Sequence, residues 1–574
     1  MSHTHSHGGI THSHDGGHSH HHHAEFSSDE KLATDLSVDD ADLTPMQMRR
    51  RTLLRTAGVL GAGAATAALV DTHGAATAAA VGKSRTSGAG HRAGWLSGDH
   101  HIHTQYSSDG MYQVNDQVAH AEAYGLDWMV ITDHGSATHA KIGVDKVNPD
   151  ILAARKRHQD MLVFQGLEWN IPAAEHGTVI VHPGAKEVSV LKQFENNYDG
   201  AVMKATANTP ENEALAVKGV QFLGSMVDSR EVRDALFLAN HPARNGIDSP
   251  HEVRGWRDAN PEIAIGWEGA PGHQAAGISA DAMGPGDARG YYGNAPGANS
   301  FAGYVPESYR TWGGFDFYTA TVGGLWDSLL AEGKGWWISA NSDSHSVYLD
   351  TAVRGGGDFA TQGRYNDPIY GGKPQVERGD YWPGYYSRTN VGSNVRNYAG
   401  VMQGMRAGNV WVDHGRLIED IDVRVSVAGS STSAFGGVVM GRRGQRAKLT
   451  IRVVPAQVAN WATFIPKLAK LDVIKGAITG PVTDRDTLHA PQTKVVKTWD
   501  VSGHVDAIEV SYDLGVIEEQ GFYVRLRGSD GNRTQAGYFG ADFDPAGPAI
   551  DVVGDADPWT DLWFYTNPIF VLPR

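Results

Sequence analysis

The stretch Asp99-His100-His101-Ile102-His103, with Asp109 six residues further on, joins imidazoles and carboxylates at a spacing that suits a metal site. It follows the apolar run Gly94-Trp95-Leu96-Ser97-Gly98. In a strand, alternate side chains share a face, so Asp99, His101 and His103 project the same way. Such a set at a strand end can ligate Zn, Mn or Fe. Four further apolar runs end in the same residue types. Residues 126–131 lead into Thr132-Asp133-His134, 161–164 into Gly166-Leu167-Glu168, 236–239 into Asn240-His241-Pro242, and 336–340 into Asn341-Ser342-Asp343-Ser344-His345. Histidines that merely fill a core have no reason to meet strand ends repeatedly. Ligand-type residues at the carboxyl ends of successive strands are how a barrel enzyme builds its catalytic face.

The elements that must position these residues follow from periodicity. Helical patterns over residues 114–124, 151–158, 211–223 and 325–332 separate the strands, which predicts an α/β parallel architecture. Residues 271–313 and 355–394 break the pattern. Segments that long without periodicity are expected to be functional walls or lids, and the second carries Tyr365, Tyr370, Tyr381, Trp382, Tyr385, Tyr386 and Arg388, whose aromatics either line the mouth or pack the segment onto the barrel. A helix over 395–407 closes this part. From about residue 418, alternating runs at 421–427, 448–454, 507–512 and 521–526 predict an all-β sandwich, whose end at 563–570 is expected to pack back on the barrel.

In this order, His101-x-His103, Asp109, Thr132-Asp133-His134, Gly166-Leu167-Glu168, His241-Pro242 and Asp343-Ser344-His345 resemble the polymerase-and-histidinol-phosphatase (PHP) superfamily. The Asp-Ser-His ending and the preceding helix, residues 325–333, resemble its metallohydrolase branch that includes carbamate-insecticide hydrolases. The resemblance spans about residues 94–420 and implies a distorted (β/α)7 PHP-type barrel, followed here by a smaller all-β sandwich-like domain. It also implies a further histidine after the Gly-x-Glu motif: His176 is the choice and His182 the alternative. The implied metal set is then His101, His103, Asp109, His134, Glu168, His176, His241, Asp343 and His345, enough for two or three divalent ions. One ion would take His101, His103, Glu168 and Asp343. A second would share Glu168 and add His176 and His241. A third would take Asp109, His134 and His345.

Clustered metals lower the pKa of a bound water from ~16 towards ~7 and can grip phosphoryl oxygens, which supplies a nucleophile without Ser or Cys. Glu168 and Asp343 are therefore the expected catalytic carboxylates, with Thr132, Asp133 and Asn240 orienting histidines. Arg244 is the candidate for binding a substrate anion. His100 and His139 are expected to be structural or surface residues.

The chain holds no cysteine, so any metal rests on His, Asp and Glu, and its net charge of −16 argues against general nucleic-acid binding. Residues 1–23 hold ten of the 28 histidines, a polar tract that cannot bury a core and can chelate metal. Residues 24–48 are acidic and polar. Arg49-Arg50-Arg51 before an Ala/Gly-rich stretch reads as a Tat export signal over 49–80, with Ala76-Thr77-Ala78 as cleavage site. A linker over 81–93 precedes a hydrolase domain at 94–417 and the β domain at 418–574. The expectation is an exported metal-dependent hydrolase, periplasmic, cell-wall or extracellular, without a stable membrane span after processing. Its partners would be the Tat machinery and a small-molecule ester: a phosphoester first, with a carbamate or carboxylic ester as the alternative. A non-catalytic metal- or carbohydrate-binding surface protein is the second alternative.

Overall fold

The computed structural model describes residues 94–292, 296–429 and 432–574, and the short strands His5–His7 and Ile10–His12 near the N-terminus. The acidic stretch, the twin-arginine segment and the linker lie outside the described residues, as does most of the His-rich tract. No helix among the described residues is long and apolar enough to cross a membrane.

Seven strands build the barrel wall: β1 Gly94–Asp99, β2 Trp128–Ile131, β3 Leu162–Asn170, β4 His176–Val181, β5 Ala235–Ala239, β6 Ala264–Ala270 and β7 Trp337–Ala340. They are neighbours in that order. Several are apolar and buried along their whole length, as in strands covered on both faces: every residue of β2, β5 and β7 is buried. Strands β1 to β3 are parallel, as are β5 to β7.

One strand supplies the distortion of the expected (β/α)7 pattern. Strand β4 runs antiparallel to both neighbours. Only residues 171–175 separate it from β3, and a parallel crossover needs a dozen or more. The first residue of β4 therefore lies at the end of the barrel where the other strands finish.

Helices pack outside. The pattern at 211–223 is the core of Pro210–Asp228, which has Thr209 as its N-cap and Pro210 in its first turn. That at 151–158 is the second half of Val144–Arg157. The other two expected helices are Val114–Ala123 and Leu325–Ala331. Two more, Glu187–Tyr198 and Pro250–Ala259, were not expected; the second opens with a capping box in which Ser249 and Glu252 exchange hydrogen bonds.

Beyond β1 the sheet continues through β8 Ser387–Ser393 and β9 Val410–His414, joined by the closing helix Tyr398–Arg406. The far edge, β7, meets β8 through a side chain: Thr389 Oγ1 accepts from the Ala340 N–H and donates to the Ala340 carbonyl, each at 2.8 Å.

The β-rich C-terminal part holds one antiparallel sheet of Ile418–Val427, Arg446–Pro455, Ile508–Val516 and Thr432–Ser433. Apart from a two-stranded pair, Thr534–Gln535 with Gly547–Pro548, its other strands belong to the barrel's own sheet, which Trp563–Thr566 joins by pairing with β9. The boundary at 418 is thus no gap between sheets. A buried Arg525–Asp327 pair, with contacts of 2.9 and 2.8 Å, also ties this part to the helix Leu325–Ala331.

Candidate metal centre

Glu168, on the last third of β3, is the hub of the site. It is 1% exposed. His101 Nε2 lies 2.9 Å from its Oε1, His134 Nδ1 2.8 Å from its Oε2, His103 Nε2 3.3 Å from Oε2, and His176 Nδ1 and His241 Nε2 3.2 and 3.3 Å from Oε1. Asp343 Oδ1 adds contacts to His101 and His103 at 3.0 and 3.1 Å. Asp109, half-exposed at the rim, pairs with His134 at 2.9 Å and His345 at 3.4 Å.

All nine residues of the expected set meet here, but their grouping differs from the resemblance's partition. Ligand atoms converge as His103-Asp109-His134-His345, as His101-His103-Asp343 and as His134-Glu168-His176. His241 groups with His176 and Glu175.

The reversed direction of β4 decides between the two candidate histidines. His176 opens the strand beside Asn170. His182 follows its other end, where its main-chain N–H bonds the Asp234 carbonyl and its Nδ1 lies 2.8 Å from the Pro183 carbonyl.

The donor set fits divalent metal. His101 and His103 turn Nε2 atoms towards each other at 3.1 Å, close enough for one cation to take both. Glu168 Oε2, Asp343 Oδ1, His176 Nδ1 and His241 Nδ1 are buried without a hydrogen-bond partner among the described residues. Two of the residues also adopt left-handed backbone, His241 at φ 30° and Asp343 at φ 46°. Conformations of that kind cost of order 1–3 kcal/mol each and cluster at functional sites.

A second layer of polar groups orients the imidazoles. Glu268 Oε1 takes His101 Nδ1 at 2.7 Å, and its Oε2 accepts the His241 N–H at 2.8 Å. The Asn240 amide donates to Glu168 Oε1 at 3.1 Å. Asp133 accepts from the N–H and hydroxyl of Thr104, and the Thr132 hydroxyl accepts from the Ile102 N–H, which fixes the strand-end loop.

Electrostatics follow from this packing. Burial pushes the Glu168 carboxyl up, but the imidazoles of His101, His134 and His176 outweigh it and hold it well below the usual range. Burial likewise opposes the charge on His101, and Asp343, Glu168 and Glu268 overcome it. At His241, burial and then the Arg244 guanidinium lower the imidazole to about 4, leaving it neutral and ready to ligate.

Arg244 reaches the site's edge with its side chain a quarter exposed, and its Nη2 donates to Glu175 Oε2 at 2.9 Å. His100 and His139 are structural, as expected: His100 bridges Thr178 and Ser339, and His139 pairs with Glu195.

The two aperiodic segments only partly match their expected role as walls. They bring His273 and Asp380 to the cluster, contacts the sequence reading missed. Of the two roles open to the aromatics of 355–394, most take the packing one. Trp382 stacks on His120 with ring centroids 3.6 Å apart, and Tyr381, Tyr385 and Tyr386 surround Trp559. Arg388 is bound by Asp413.

Residues 99–219, which carry the first six of the nine, match the PHP domain family. That similarity lies within a mixed α/β fold followed by a β-rich part. No curated relative matches. Among solved structures, a two-domain protein from Bacteroides vulgatus ATCC 8482, described as containing a predicted PHP-like metal-dependent phosphoesterase, is 15% identical. The alignment covers 74% of this chain and 100% of that one at a TM-score of 0.29, too low to equate the two folds.

Proposed function

We propose that this chain is an exported metal-dependent hydrolase of ester bonds, with a phosphoester as its substrate. One observation carries the reading: five imidazoles and the Asp343 carboxylate converge around the buried Glu168, with several ligand atoms left without hydrogen bonds. As the converging ligand atoms group, His101, His103 and Asp343 would hold one ion, Glu168 and His176 a second with His241 alongside, and Asp109, His134 and His345 a third. Bound there, Mn, Zn or Fe would supply Lewis acidity and an activated water at neutral pH.

The protein's own groups do the rest. Glu268 takes the His101 Nδ1 proton and so directs the Nε2 lone pair into the cluster. Asn240 fixes Glu168. Arg244 offers positive charge to an anionic substrate at the rim.

Carbamate or carboxylic ester hydrolysis on the same residues is the second reading. It is favoured by the Glu175 carboxylate, which offsets the Arg244 charge.

The test strips the full chain with a chelator, reloads Mn, Zn or Fe, and assays aryl phosphomonoesters, phosphodiesters, neutral aryl esters and carbamates. Turnover of a phosphoester that returns with metal supports the reading. Turnover of neutral esters or carbamates with every phosphoester untouched replaces it with the second. For export, Arg50→Lys with Arg51→Lys is expected to hold the precursor in the cytoplasm, as read by fractionation.

A further inference from the structure

We propose that His273 and Asp380 are positioning residues of this site, which aim Asp343 and hold the turn that carries His345. The inference rests on reading Asp343 as a metal ligand. Neither residue lies in the strand-end motifs or within the matched residues 99–219.

His273 divides the Asp343 carboxylate between two tasks. Its Nε2 lies 2.8 Å from Asp343 Oδ2. The other oxygen, Oδ1, faces His101 and His103 and has no hydrogen-bond partner among the described residues. A carboxylate held by one oxygen presents the other in a fixed direction, as outer groups do for metal ligands.

Asp380 anchors the arrangement from behind. Its Oδ1 takes His273 Nδ1 at 2.5 Å, and its Oδ2 accepts the main-chain N–H groups of His345 and Ser346 at 2.6 and 2.7 Å. One carboxylate thus fixes the imidazole that aims Asp343 and the backbone just after it. The His273 and His345 rings are stacked, with centroids 5.6 Å apart.

The backbone is arranged for this approach. His273 sits in the left-handed region at φ 58°. Before it stands Gly272, where a Cβ would lie 2.1 Å from the Ser342 carbonyl oxygen and 2.3 Å from Asp343 Cβ, so only glycine lets the segment come so near. After it, Gln274 accepts from Arg289 Nε at 3.0 Å, and the buried Arg289 reaches Asp561 at 2.9 Å and the Tyr386 hydroxyl at 2.6 Å. A segment without helix or strand periodicity is thereby locked in place.

The test measures ion binding by chelator competition on the full chain, without substrate, for wild type, His273→Ala, His273→Gln and Asp380→Asn. The N-terminal histidines are common to all four. His273→Ala and Asp380→Asn are expected to weaken the tightest-held ions about 10–100-fold. Glutamine, whose amide can still donate to Asp343 Oδ2, is expected to recover most of that loss. Unchanged ion binding in His273→Ala overturns the proposal. So does an equal loss in the alanine and glutamine variants accompanied by a lower melting point of the stripped protein, which marks a merely structural role. Wild type that binds ions yet cleaves no phosphoester sinks the phosphoesterase reading and leaves this inference standing. Wild type that binds none outside its N-terminal tract overturns both.

Discussion

The main-chain N–H of Asn240 donates to the His176 carbonyl at 2.8 Å, which sets the start of the antiparallel strand β4 beside the end of β5. The imidazoles of His176 and His241 consequently sit with ring centroids 5.3 Å apart, both against Glu168. His176→Ala is expected to lower metal retention and kcat/KM at least about 10-fold. His182→Ala, at the opposite end of the strand, is expected to stay within about 2-fold of wild type. Elemental analysis and kinetics on the two variants check this, and the reverse ranking would exchange the two assignments.

Glu168→Gln removes the charge on which five imidazoles converge. Less than about a tenth of wild-type kcat is expected to remain, a loss above about 1.4 kcal/mol, with a near-native circular dichroism spectrum because the barrel core lies elsewhere. A variant that keeps more activity would remove Glu168 from the hub.

Arg244→Ala is expected to depress phosphoester turnover at least about 10-fold more than turnover of a neutral aryl ester, since only the former brings an anion to the rim. Glu175→Gln is expected to act in the opposite sense, by freeing the Arg244 charge from its partner. Parallel losses on both substrates in Arg244→Ala would mark the arginine as structural.

Glu252 carries a pH prediction away from the metal residues. One of its oxygens serves the capping box with Ser249, while the other is buried without a partner among the described residues. Burial pushes its carboxyl up to about 7. The folded state then binds more protons than the unfolded one between about 4.5 and 7, so this group costs stability as pH rises through that window. Glu252→Gln is expected to flatten the fall, a difference on the order of 1–3 kcal/mol by pH 8. Denaturant titrations of both proteins at pH 5 and pH 8 measure it, and equal slopes would contradict the raised value.

Much of the site is legible in the sequence because its chemistry is local. His101-x-His103 needs only the two-residue strand period, and Glu168, His241 and Asp343 each stand where an apolar run ends. The direction of β4 was not read from the sequence: the short connection 171–175 rules out a crossover, but only once the strand ends at Asn170 and His176 are known. Nor were His273 and Asp380. Their segments have no periodicity, and their position depends on a glycine-enabled approach to Ser342 and on Arg289, which reaches residues far along the chain. Glu175 left a fainter sign, an acid next to a histidine that already looked like a ligand.

Strand β9 pairs with β8 on one side and with Trp563–Thr566 on the other. The Asn567 side chain also accepts the Ile338 N–H of β7 at 3.0 Å. The C-terminal residues therefore act as the seam of the barrel, so the two parts have no independent fate. A chain ending near residue 418 would expose β9 as an unprotected edge open to edge-to-edge association. The intact protein should lose both halves in a single cooperative melting step, and a protease should find no cut between them that leaves either half folded.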